Sequence, residues 1–318
     1  MKTKKDLRSW KRRLEERMVS LKTPLRYPGG KSRAIKKLSP DLPESFSEFR
    51  EPFLGGGSMA LHVTQTRPGT KVWVNDAYYN LYNFWVQLRD KGPELHQELV
   101  RIKSAIEYVS KPLRKNKVPK IDWDPNILEM IDKHRELFNH AKCNISTEST
   151  DDLTKAVYFY ILNKCSFSGL GESSSFSEQA SEQNFSMNGI DKLPAYSKLI
   201  KRWTITNLDY EYLLSAKGAD DCFIFLDPPY DIRDDLYGKN GDMHSGFDHM
   251  RFYEDSVECP HDWMITYNSN EVLRKRFSDY YFNDWDLTYT MRSSKVYSEA
   301  QKERKELLIT NYERNSND

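Results

Sequence analysis

The sequence predicts an α/β fold: a mostly parallel sheet with helices on both faces, interrupted by a largely helical insert. Three observations predict it. Short strand-like runs end in turn residues and lead into stretches of helical spacing, first over residues 48–91 and again from 203 onward. Cys222-Phe223-Ile224-Phe225-Leu226 is a continuous apolar run, the pattern of a strand buried on both faces of a parallel sheet. Between residues 92 and 194 the alternation stops, and helical stretches separated by polar and basic loops replace it.

Residues 2–22 read as a basic helix, with Lys4, Lys5, Arg8, Lys11, Arg12, Arg13 and Arg17 around apolar Leu7, Trp10, Leu14, Met18 and Leu21. Two roles stay open for it: packing of the apolar line on the body, and phosphate contact through the basic face. The turn Pro28-Gly29-Gly30-Lys31-Ser32 leads into a short helix at 33–38. A strand at 48–53 ends in Gly55-Gly56-Gly57. A helix at 58–63, a strand at 71–74 closed by Asn75-Asp76, and a helix at 79–91 follow. Strand, glycine turn, helix, strand and acid together open a Rossmann-like sheet.

In the insert, helices are expected at 94–109, 126–141 and 153–163. One of its loops carries Lys111, Arg114, Lys115, Lys117 and Lys120. Another, 166–188, is rich in serine, glycine and phenylalanine with almost no aliphatic residues. It is read as building little core, either a mobile linker or a surface that orders on a ligand. Beyond the insert, strands are expected at 203–206, 222–226, 264–267, 285–289 and 307–312, with a helix beginning at 212–215.

The chain has 318 residues, with 48 Lys and Arg against 47 Asp and Glu, a net charge of +1. Nucleic-acid binding therefore has to come from local basic clusters, not from the global charge. No apolar run approaches the ~20 residues of a spanning helix, and the charged first ten residues lack the apolar core of a secretory signal. Cys143, Cys165, Cys222 and Cys259 show no C-x-x-C spacing, which argues against a zinc site or a disulfide framework and for an intracellular, reducing compartment. The histidines form no ligand cluster in the sequence, so no metal is expected.

Asp227-Pro228-Pro229-Tyr230, directly after the buried run, is the most informative motif. The amino nitrogen of adenine is a poor nucleophile because its lone pair is delocalised into the ring. Acceptors aimed at both amino protons draw that pair back onto nitrogen. The Asp227 carboxylate and the Pro228 carbonyl can supply them, the prolines stiffen the turn, and Tyr230 offers a face for a flipped base, worth ~1–3 kcal/mol. The plainer alternative is a turn after a strand. The glycine run allows close approach of backbone to a small ligand. Asp76, about twenty residues on, has the spacing of an acid that accepts from both ribose hydroxyls; alternatively it caps the following helix. Gly30-Lys31-Ser32 mimics the end of a phosphate-binding P-loop, but the first glycine of that motif would fall at Leu25, which argues against an ATPase.

In order, Tyr27-Pro28-Gly29-Gly30-Lys31-Ser32, Glu51-Pro52-Phe53-Leu54-Gly55-Gly56-Gly57-Ser58, Asn75-Asp76, a long variable insert, the Asp227 motif and the closing Lys305-Glu306-Leu307-Leu308-Ile309-Thr310-Asn311-Tyr312 resemble the Dam-type adenine-specific DNA methyltransferases of the alpha arrangement. The resemblance runs from Leu25 to Tyr312 and is sparse in the middle. It implies a seven-stranded, Rossmann-like S-adenosylmethionine-dependent catalytic domain at 23–91 and 195–318. Residues 92–194 would be an inserted, mainly helical target-recognition subdomain, and the basic helix read at 1–22 precedes the region of resemblance. Double-stranded DNA is the implied partner, with a cognate restriction enzyme as a further candidate.

Residue by residue, the resemblance implies that Tyr27, Gly30 and Lys31 line the S-adenosylmethionine pocket. Phe53, the turn from Gly55 to Gly57 and Ser58 cradle its methionine part, and Asp76 holds the ribose. Asp209, in Asn207-Leu208-Asp209-Tyr210, lies against its adenine, and Asp227 bridges cofactor and target base. Candidate DNA contacts are Lys111, Arg114, Lys115, Lys117 and Lys120 on phosphates, and Asn163, Lys164, Ser166 and Ser168 on base edges. The chain departs from the family pattern in two places: a middle glycine is added to F-x-G-x-G, and residues 163–169 follow the family's asparagine–aromatic–glycine pattern only loosely. Residues 231–248 are expected to order when the base is flipped. Two other acceptors and one non-enzyme remain. RNA adenine is not separable by sequence. Related enzymes acting on protein glutamine carry asparagine where this chain has Asp227. A non-catalytic DNA-binding descendant would show a broken motif, and both motifs are intact.

Overall fold

The computed structural model describes residues 21–27, 29–106, 125–169, 171–230, 247–269, 271–286 and 305–314. Seven strands form one sheet: β1 (Glu48–Glu51), β2 (Lys71–Asn75), β3 (Thr204–Thr206), β4 (Cys222–Leu226), β5 (Asp262–Asn268), β6 (Tyr281–Asp286) and β7 (Lys305–Thr310). Their spatial order is β3-β2-β1-β4-β5-β7-β6. β1 to β5 run parallel to one another, and β7 runs antiparallel between β5 and β6. This is the mostly parallel, seven-stranded Rossmann-like sheet that the sequence predicts.

All five residues of β4 are buried because it is central and covered on both faces. Its period of two splits the apolar run between two cores. Phe223 and Phe225 join Phe49, Val74, Met264 and Leu308 on one face; Cys222, Ile224 and Leu226 join Trp263, Ile265, Leu307 and Ile309 on the other. The insert does not stand apart from the first core. Its helix Asp152–Cys165, capped by Asp151 on the Thr154 N–H, packs on the helix Tyr79–Asp90, and Tyr160 stacks on Phe84 at 6.0 Å and 17°. Phe159, Ile161 and Leu162 belong to the same apolar cluster as Phe49, Trp85 and Phe223.

The expectation of little core at 166–188 is overturned. Two 3-10 turns (Phe167–Gly169, Gly171–Ser173) and the helices Glu178–Asn184 and Met187–Ile190 fill it. Its serines are caps, Ser177 accepting from the Ala180 N–H and Ser186 from the Gly189 N–H, and Phe185 is fully buried. Short helices that begin on serine and bury one aromatic look like linker to a composition argument. The strand expected at 285–289 starts earlier, at Tyr281, and the helices His249–Glu258 and Glu271–Arg276 add to the elements read from the sequence. The expected helix at 1–22 (except its last two residues), the cations Lys111, Arg114, Lys115, Lys117 and Lys120, and residues 231–246 lie outside the described residues. No described helix is long and apolar enough to cross a membrane.

Candidate active site

Parallel pairing brings the carboxyl ends of β1, β2 and β4 to one edge, and with them Glu51, Asp76 and Asp227. From β1 the chain passes to β2 and β3 on one side, while β4 and β5 lie on the other. A crevice at such a switch point is the usual ligand site of an open α/β sheet.

On the β1 side, the glycine turn needs its glycines. Gly55 has φ +47° and Gly57 φ +64°, left-handed values that side chains disfavour. A Cβ on Gly55 would lie 2.8 Å from the Tyr27 ring, and one on Gly57 would lie 3.0 Å from Trp85. The Tyr27 ring is thus seated on the turn. Gly30 N–H closes its own tight turn on the Tyr27 carbonyl at 3.0 Å. Ser58, first residue of the helix Ser58–Thr66, shares a 2.8 Å hydrogen bond with Ser32 and ties the two motifs together. Buried Glu51 accepts from the Ala60 N–H at 2.8 Å; burial holds its carboxyl well above the usual range.

Asp76 is buried. It accepts from the Gly55 N–H (2.9 Å) and the Tyr78 N–H (3.0 Å), so it braces the glycine turn as well as the start of the next helix. Burial pushes its carboxyl up to about 6, against the downward pull of those two hydrogen bonds.

Lys31 is the centre of the β4 side. Its ammonium, 3% exposed, donates to both oxygens of Asp227 (2.7 and 2.9 Å), to the Gly29 carbonyl (3.1 Å) and to the Tyr230 hydroxyl (2.8 Å). Thr266 on β5 donates to Asp227 Oδ1 at 2.7 Å. Tyr230 donates to Glu306 Oε2 at 2.7 Å and stacks on Tyr267 at 5.6 Å and 20°. Sequence reasoning missed Thr266, Tyr267 and Glu306. The one available signal was an acid at the start of the apolar Leu307-Leu308-Ile309 run.

Phe53 stacks on Tyr210, the chain neighbour of Asp209, at 5.3 Å and 30°. Asp209 is exposed and paired with Arg251 at 3.1 Å.

Three of the expected base-edge contacts, Asn163, Lys164 and Ser166, are corrected. Asn163 and Ser166 are fully buried and Lys164 nearly so. The Asn163 carboxamide accepts from the Arg26 N–H (2.9 Å) and donates to the Arg26 and Gly169 carbonyls (2.7 and 3.0 Å). Lys164 donates to the Pro24 carbonyl, and Ser166 Oγ accepts from the Gly171 N–H. These side chains lie on the inner side of their helix end, where they hold the segment that carries Tyr27. The Ser168 side chain lies outside the described residues. Among the described residues, no group of three or more His, Cys, Asp or Glu side chains could hold a metal ion.

The D12 class N6 adenine-specific DNA methyltransferase model matches residues 27–291. The chain belongs to this family. Similar curated proteins include the type II methyltransferase M.MjaIII of Methanocaldococcus jannaschii, 25% identical over 67% of this chain and 70% of its own length. M1.LlaDCHI of Lactococcus lactis subsp. cremoris is 20% identical over 94% of this chain and 98% of its own length. M.CviBI of Paramecium bursaria Chlorella virus NC1A is 20% identical over 92% and 100%. This D12-class methyltransferase methylates adenine in DNA at N6, and its family implies S-adenosylmethionine as the methyl donor. Of the acceptors weighed from the sequence, DNA adenine is the one the family carries.

Proposed function

We propose that the protein methylates adenine in double-stranded DNA after turning the base out of the helix into the cleft between β1 and β4, with Asp227 as the acceptor that makes the amine reactive. The arrangement around Asp227 carries this reading. Oδ1 accepts from both Lys31 and Thr266, whereas Oδ2, among the described residues, accepts from Lys31 alone. A carboxylate oxygen has two acceptor sites. Oδ2 therefore keeps one for an N–H of the adenine amine, with the Pro228 carbonyl as the proposed acceptor for the other. The two acceptors return lone-pair density to nitrogen, and the proton that nitrogen sheds passes to the carboxylate already bonded to it. Lys31 holds that carboxylate by both oxygens. Tyr230, backed by Tyr267, is the stacking platform.

The residues fit the methyl donor. Left-handed Gly55 and Gly57 bend the backbone into a tight turn under the Tyr27 ring and Trp85, and Asp76 places a carboxylate beside that turn. Tyr27, Gly30, Lys31, Phe53, Gly55, Gly57 and Ser58 would line the pocket, Asp76 would take the ribose hydroxyls, and Asp209 would meet the adenine while sharing its carboxylate with Arg251. S-adenosylmethionine, when bound, supplies an electrophilic methyl group on a sulfonium. The insert at 92–194 is the proposed target-recognition region. The type II naming of the relatives supports a restriction enzyme as functional counterpart, and a DNA substrate fits an intracellular place.

The test is tritiated methyl transfer from S-adenosylmethionine to unmethylated duplex DNA and to RNA, followed by nucleoside analysis. N6-methyladenine in the duplex is expected, and sequencing the modified sites then reports the target. Label in RNA alone would overturn the reading.

A further inference from the structure

The carboxylate of Glu306 is 3% exposed, and the mechanism above makes no use of it. Glu306 is the second residue of β7, followed by residues that are all buried. Register places it opposite Asn268 on β5, two positions from the Leu308–Thr266 pair, so Glu306 and Thr266 share one face of the sheet. That is the face of Thr266 that reaches Asp227. A carboxylate removed from water is costly unless its lone pairs are bonded. Glu306 Oε2 accepts the Tyr230 proton at 2.7 Å.

The Tyr230 hydroxyl is therefore held from two sides. Its proton is committed to Glu306, and a lone pair is committed to the Lys31 ammonium at 2.8 Å. Lys31 in turn bonds both oxygens of Asp227. Glu306, Tyr230, Lys31 and Asp227 form one chain of hydrogen bonds drawn from β7, the turn after β4 and the glycine-lysine turn before β1. A hydroxyl can donate only once. The acceptor that takes that proton decides which way its lone pairs face, and thereby where the ammonium sits.

We propose that Glu306 is a positioning residue for methyl transfer: it fixes the Tyr230 ring as a platform for the target adenine and, through the tyrosine hydroxyl, sets Lys31 against Asp227. The inference rests on the roles proposed above for Tyr230 and Asp227. Its benefit is preorganisation. A ring anchored at the hydroxyl end and backed by Tyr267 gives up little freedom when a base lands on it. A loosened ring would leave the amine displaced from its acceptors, and small displacements cost large factors in rate. Of the proposed donor-pocket residues, Lys31 and Asp227 belong to this chain of bonds, but Lys31 keeps its own bonds to both Asp227 oxygens and to the Gly29 carbonyl, and the glycine turn and Asp76 stand outside it, so the loss should fall on kcat more than on donor binding.

The test is a double-mutant cycle of wild type, Glu306→Ala, Tyr230→Phe and the double variant, with kcat, KM for S-adenosylmethionine and melting midpoint measured on each. Glu306→Ala is expected to lower kcat about tenfold or more and to leave the donor KM within about twofold. In the Tyr230→Phe background the same substitution should cost almost nothing further, because the hydroxyl through which it acts is gone. Glu306→Gln, whose carbonyl still accepts from the hydroxyl, should retain most of the activity. It also serves as the folded alternative if the alanine variant melts early. Wild-type kcat in Glu306→Ala, full additivity in the cycle, or a glutamine variant as impaired as the alanine one would each overturn the proposal. Tyr230→Ala separates the two failures. If Tyr230→Ala is as active as wild type, the platform reading itself falls; if it is inactive while Glu306→Ala is not, only the role of Glu306 falls.

Discussion

The Lys31–Asp227 pair joins catalysis to stability in a single contact. Removing the carboxylate takes away the acceptor for the amine and also strands an ammonium that is 3% exposed. Asp227→Ala is expected to lower transfer at least ~100-fold, the scale of losing a preorganised polar partner. It should also destabilise the fold by about 3 kcal/mol through the unpaired lysine. Asp227→Asn keeps shape and one acceptor and should melt closer to wild type while staying inactive; single-turnover assays and thermal unfolding of both variants check this. Asn163 was legible as a special residue but not in its role. Its three hydrogen bonds replace backbone pairing between the helix end and the Arg26 segment. Asn163→Ala is expected to release Tyr27 from the glycine turn and to raise the donor KM about tenfold with a smaller change in kcat. An unchanged KM would make the clamp irrelevant to the donor.

At the scale of the element, the glycine turn and the acid after β2 act together. Asp76 is bonded to the Gly55 N–H, and its carboxyl sits near 6 because burial outweighs the two bonds it accepts. A carboxyl raised in the folded state adds stability that is fully present below its unfolded value of 3.8 and lost as pH rises through about 6. Ribose binding needs the ionised form, so it pulls the other way. Donor KM is expected to rise as pH falls through about 6, and Asp76→Asn should flatten that dependence while raising KM at every pH; initial rates from pH 5 to 8 decide it. This element was readable because left-handed backbone admits few residues but glycine, so the chain declares it locally. The helices after residue 166 were not readable, because serine caps and serine linkers have the same composition.

At the scale of the molecule, the insert and the sheet share one apolar core, and the insert carries an acid-sensitive pair. His134 and Lys103 are buried, with Lys103 Nζ 3.0 Å from His134 Nε2. Burial, helped by the lysine charge, pulls His134 down to about 3. A histidine lowered in the fold supports stability above its unfolded value of 6.5 and loses that support as pH falls toward about 3. About 2 kcal/mol should be gone by about pH 5, since each pKa unit is worth about 1.4 kcal/mol. His134→Gln, which still offers Lys103 an acceptor but takes no proton, should flatten the fall in melting temperature. Equal pH profiles for the two proteins would show that the pair plays no part. Because Phe159 and Leu162 pack in the same cluster as Phe49 and Phe223, insert and sheet should unfold in one transition.

The sequence by itself determined the family, the sheet class, the glycine turn, the acid after β2 and the Asp227 motif. Each is written within a few residues, as backbone sign, apolar period or a reactive group at a strand end. Only the tertiary structure decided that Lys31 meets Asp227, 196 positions away, that Glu306 meets Tyr230, and that Asn163 and Lys164 turn inward. Such pairings depend on which strands become neighbours and which face of each is buried. Those choices are made by the core as a whole, so no local stretch of chain records them.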